Sequence, residues 1–122
     1  MIVAVLVGVA AGLGAVARYV IDQVVQHQHD LLFPVGTITV NVCGSLLLGL
    51  ITGLGMHHGL APDVGVVLAA GFCSGFTTWS AFAYETLALA ESGALLQAAA
   101  NIALSVTVGL LAAGAGLGLA LL

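Results

Sequence analysis

The stretch VGVVLAAGFCSGFTTWSAFAY, residues 64–84, contains no charged side chain. It is longer than the roughly 18 apolar residues that mark a membrane-spanning helix. Its centre, however, is a poor helix. Ser74-Gly75 and Thr77-Thr78 fall in mid-span, where helix propensity is low. In lipid, backbone freed from a helix is tolerated only where it is buried in protein or lines a cavity. This segment therefore predicts a spanning helix broken near its middle, with carbonyl and N–H groups available at the break for a cation or an anion.

Outward from that segment, the rest of the chain has the same character. Leu31 to Met56, Gly93 to Leu122 and Met1 to Ala17 are also uncharged, and the first run continues past Arg18 to Ile21. Of 122 residues, 61% are hydrophobic and 5% charged, with mean hydropathy +1.25. Soluble domains carry about 25% charged residues. The expected fold is an all-α integral membrane protein of four helices, the third broken. The spans are expected at about 2–25, 33–56, 62–90 and 94–122, as one domain over 1–122. The first run lacks a basic start, and Gly8, Gly12 and Gly14 suit helix packing, so it is taken as a span rather than a leader. Short connections predict antiparallel neighbours, with both termini on one side and Pro34 and Pro62 at helix starts. The first connection carries His27, His29 and Asp30, the second His57 and His58. The lipid bilayer of the cell inner or plasma membrane is the expected setting. A net charge of −4 argues against nucleic acid. The loops contain no Lys or Arg to direct orientation, so insertion both ways is expected.

The 17 glycines recur at four-residue spacing in Gly8–Gly12, Gly49–Gly53, Gly71–Gly75 and Gly114–Gly118. Small residues let helix backbones approach in lipid, and four thin helices invite association. No internal repeat is visible, so a path on a symmetry axis requires a second subunit.

Polar side chains at membrane depth are functional candidates. Thr37, Asn41 and Ser45 share one face of the second span. The Asn41 amide needs partners: another helix, water or an ion. Asn101 and Ser105 share a face of the fourth span, with Gly109 one turn further. In the third, Trp79 and Phe82 lie on one face, either as packing or with their positive ring edges toward an anion. No acid occupies the centre of any span. Asp22 and Glu85 lie toward the ends of theirs. Arg18, the single base, either draws anions into a vestibule or pairs with Asp22 four residues on. The balance favours a small anion held by weak neutral contacts.

Three motifs in order then resemble the CrcB/Fluc fluoride channel family. They are GAVARY (14–19), GTITVNVCGS (36–45) and GFCSGFTTWSAF (71–82). The resemblance implies an antiparallel, dual-topology dimer, of this chain or of paired homologous subunits. Its two narrow pores would export fluoride passively from the cytoplasm. It implies an anion-donor role for Asn41 and matches Phe82 to the second of two pore phenylalanines. Trp79 stands where the first is usually Phe, adding bulk and an N–H. Ser80 and Ser105 match a polar track, which Ala81 shortens, and Thr37 joins the implied anion pore with Arg18 at its vestibule. Asn101 stands where the family often has Tyr. The resemblance further implies a structural Na+ at the dimer interface, held by backbone carbonyls of Ser74 and Thr77. Ser74 replaces the usual Gly, at a cost if a left-handed conformation is required.

The residues alone leave other readings open. A four-span, proton-coupled multidrug antiporter needs a deep carboxylate, and the first span has none before Asp22. A structural subunit would make glycine packing the whole account. An enzyme finds no Ser–His pair, no HExxH and no paired acids. Cys43 and Cys73 lack CxxC spacing and suit packing. His27-x-His29 suits a polar turn.

Overall fold

The computed structural model describes residues 1–29 and 32–122, so Asp30 of the first connection lies outside the described residues. Every element among the described residues is helical. Helix α1 spans Ile2–Gln28, α2 Val35–His57 and α3 Pro62–Val66. A π-helical segment, Val67–Cys73, leads into the single turn α4, Ser74–Phe76. Helix α5 spans Trp79–Glu91 and α6 Leu95–Leu119. Among the described residues, four stretches are long and apolar enough to cross a membrane: Ile2–Gln28, Val35–His57, Pro62–Glu91 and Leu95–Leu119. Relative to the expected limits, α1 runs three residues past Val25 and α2 begins two residues after Phe33. Pro34 caps α2, and Pro62 opens α3, where its missing N–H has no helical acceptor to serve.

The bundle rests on two backbone-to-backbone contacts. Helix α6 packs chiefly on α2, and α1 packs on the π-helical segment and α4. Glycine makes both possible. A Cβ on Gly49 would overlap the Ala113 carbonyl, and one on Gly116 would overlap that of Leu46. In the same way a Cβ on Gly75 would overlap the Ala11 carbonyl, and one on Gly14 that of Phe72. Without an apolar driving force in lipid, this close approach supplies dispersion contact between helices. Gly49–Gly53 and Gly71–Gly75 are thus spent inside the chain. Gly8, Gly12, Gly114 and Gly118 meet nothing within 4 Å.

Candidate functional site

Between α4 and α5 the chain leaves the helix for two residues. Thr77 has φ −81° and ψ 160°, and Thr78 has φ −145° and ψ 119°. Two extended residues displace backbone groups from the helical ladder, and side chains take them up. Asn41 of α2 meets Thr78 twice: its Nδ2 donates to the Thr78 carbonyl at 2.9 Å, and its Oδ1 accepts the Thr78 N–H at 2.7 Å. The Thr78 hydroxyl then accepts the Ala81 N–H at 3.1 Å, capping α5. The Thr77 hydroxyl donates to the Cys73 carbonyl at 2.9 Å.

These diversions have a consequence for two carbonyls. In a continuous helix the Thr78 N–H would serve the Ser74 carbonyl, and the Ala81 N–H that of Thr77. Here those donors go to Asn41 and to the Thr78 hydroxyl. The carbonyls of Ser74 and Thr77 are left without their helical partners, and neutral oxygens of this kind suit a hard cation. Ser74 itself is right-handed, φ −66° and ψ −37°, so the left-handed cost weighed for replacing glycine does not arise. Its hydroxyl bonds back to the Ala69 carbonyl at 3.3 Å, across the wide π turn.

A cavity of about 440 Å³ opens beside the extended pair, lined among others by Asn41, Ser45, Thr77, Trp79, Phe82 and Ser105. None of its lining residues is charged. The Trp79 and Phe82 rings lie 5.0 Å apart and tilted by 51°, the tryptophan 76% exposed and the phenylalanine 8%.

Other candidates sit elsewhere. Thr37 shares a helix face with Asn41 in sequence, yet it turns away from the cavity. It is 4% exposed and donates to Glu85 Oε1 at 2.9 Å. The second Glu85 oxygen is enclosed without a hydrogen-bond partner. Ser80 is exposed and contacts the Thr78 hydroxyl at 3.3 Å, outside the cavity lining. Arg18 does not pair with Asp22. Its Nε donates to the Gly75 carbonyl at 3.3 Å, in the middle of the single turn α4, and it lies outside the cavity lining. Asp22 instead packs on the bare α-carbon of Gly36. Cys73 is buried on the cavity wall, while Cys43 is exposed, and both are free thiols.

The sequence marks Thr78 only as part of the weak mid-span and gives no sign of Thr86. Both act through hydrogen bonds to other elements. A threonine after a break, three residues before a free helical N–H, was the available signal for Thr78.

Taken together, the four spans and the uncharged cavity beside an interrupted third span define a multi-span membrane protein with a pocket lined by neutral polar and aromatic side chains. The relationship is closer than that class. Residues 5–117 match the family described as CrcB-like protein, Camphor Resistance (CrcB). The chain belongs to the CrcB family. A protein of Streptomyces avermitilis named fluoride-specific ion channel FluC 1 is 49% identical over 111 residues, 91% of this chain and 90% of that one. Its namesake in Frankia casuarinae is 47% identical over 121 residues, 94% and 93% of the two chains. The fluoride-specific ion channel FluC of Syntrophotalea carbinolica is 41% identical over 115 residues, 93% and 94% of the two. With its four spanning helices, the chain is a multi-pass membrane protein.

Proposed function

We propose that this chain is a subunit of a fluoride channel that carries the ion passively out of the cytoplasm. The observation that carries the reading is the uncharged cavity at the interrupted span, with the Asn41 amide, the Ser45 hydroxyl and the Trp79 and Phe82 rings on its wall, while the one proton of the Ser105 hydroxyl goes to Asn101. Its chemistry suits an anion that must shed water yet leave again. Amide and hydroxyl donors and ring edges each bind weakly, where a lysine or arginine would trap the ion. Asn41 spends one N–H and its carbonyl on Thr78, which fixes the amide and leaves a second N–H on Nδ2. The names of the relatives support fluoride as the ion. Membership of a family whose relatives are named ion channels also makes this chain no enzyme.

Two copies, one inverted, complete the pore in this reading. Trp79 stands exposed on an open cavity that a second subunit would cover. The absence of Lys or Arg in the loops is compatible with both orientations. A structural Na+ would sit against the carbonyls of Ser74 and Thr77, coordinated by oxygens whose helical donors the extended pair diverts. Two carbonyls are too few for a hard cation, which takes about six oxygens, so a second copy would contribute the like pair. Arg18 would add positive potential drawing the anion in.

The test is fluoride efflux from liposomes containing the purified protein, read with a fluoride electrode. Rapid efflux that chloride-loaded vesicles do not match is the expected result. Efflux no faster than from protein-free liposomes, with a folded dimer demonstrated in the same sample, rejects the proposal.

A further inference from the structure

Asn101 is the most enclosed polar side chain among the described residues, 1% exposed, and it lies in α6 outside the cavity lining. Hydrogen bonds run through it in series. The Ser105 hydroxyl donates to its Oδ1 at 3.3 Å, and its Nδ2 donates to the Thr86 hydroxyl at 2.8 Å. Thr86 in turn donates to the Phe82 carbonyl at 2.7 Å. The two ends of this series, Ser105 and Phe82, both line the cavity. They belong to α6 and α5, which pack on one another less extensively than α2 and α6 do. Among the described residues, the Thr86–Asn101 bond is the side-chain hydrogen bond that joins α5 to α6.

We infer that Asn101 is a positioning residue of the cavity, holding the Ser105 hydroxyl and the Phe82 ring in fixed relation across the α5–α6 wall. A fully enclosed amide is retained only when satisfied, so its two bonds set both the spacing of the helices and the Ser105 rotamer. Asn101 touches no permeating ion. It acts through Ser105 on one side and through Thr86 on the other. This rests on reading the cavity as an anion path.

The test is a double-mutant cycle in liposome fluoride efflux, normalised to folded protein. Asn101→Leu keeps the volume and removes both bonds. It is expected to slow efflux about three- to tenfold, the weight of one lost hydrogen bond. In a Ser105→Ala background the same change is expected to slow efflux by a smaller factor than in the parent, because its route through Ser105 is gone and only the one through Thr86 remains. A merely structural role would lower the yield of folded protein and leave the losses to multiply. Thr86→Val removes the acceptor of the Asn101 amide and serves as the second variant where Asn101→Leu does not fold. Its expected slowing is smaller and in the same direction. Losses that multiply across the cycle, or either variant folded and conducting like the parent, overturn the inference. If the parent protein itself carries no fluoride, the reading of the cavity fails instead, so the two failures are distinct.

Discussion

The α2–α6 contact and the Thr77–Thr78 segment solve one problem, bringing helices together in lipid, by opposite means. In the first, neither helix is interrupted where the two meet, so the backbone ladder there runs within each helix. Glycine then lets carbonyl ridges meet bare α-carbons, with Gly49 against Ala113 and Gly116 against Leu46. In the second, the helix is incomplete, and a side chain from a neighbour replaces the missing ladder. Asn41 gives Thr78 one acceptor and one donor, much as a paired strand would. Close packing therefore holds the bundle, and side-chain-to-backbone pairing shapes its cavity. A polar residue is expensive in lipid, so it is placed where backbone would otherwise go unsatisfied.

Variants that attack each side of this contrast should separate stability from conduction. The largest effect is expected from Gly116→Leu, which forces a side chain into the Leu46 carbonyl and the backbone of Leu50. Overpacking against side chains that can shift costs about 1–3 kcal/mol, and here the obstacle is backbone, so the two helices are expected not to pack at all. Size-exclusion chromatography in detergent should show aggregated or absent protein. Asn41→Leu comes next. It strands the N–H and the carbonyl of Thr78, at about 1–3 kcal/mol for each buried group left unpaired. The protein should melt earlier, and fluoride efflux should fall to the protein-free level. If Asn41→Leu conducts normally, the extended pair needs no clamp and the contrast fails.

Smaller effects sharpen the same comparison. Thr78→Ala removes the α5 cap, at a cost of about 0.5–2 kcal/mol. It keeps both backbone bonds to Asn41, so a modest drop in melting temperature with fluoride efflux largely preserved is expected. The smallest effect belongs to Gly8→Ala, which meets open space within one subunit. On the isolated chain it should move stability within about 0.5 kcal/mol in either direction. A large loss of dimer, read by cross-linking in liposomes, would show instead that this glycine face is covered by another copy.

Legibility differed in the same way. Two of the four glycine pairs read from spacing, Gly49–Gly53 and Gly71–Gly75, do pack inside the subunit, while Gly8–Gly12 and Gly114–Gly118 do not. Spacing places two residues on one face and is silent on what that face meets. Asn41 and Ser45 reach the cavity, but Thr37, one turn earlier on the same face, reaches Glu85. A single helical turn of 5.4 Å is enough to change neighbours. Arg18 was open between anion and Asp22 in sequence. Its partner is the Gly75 carbonyl, 57 positions away, which no local rule proposes.

The membrane class, four spans and the weak point in the third were written in the sequence, because lipid constrains composition and length directly. A chain with one basic residue and helix-averse residues in mid-span permits little else. Partnership was decided only by tertiary structure. Which donors meet Thr78, which carbonyls lose their helical donors and which glycines are used depend on where distant helices come to lie. Hydrogen bonds act over about 3 Å, a distance that sequence separation does not encode.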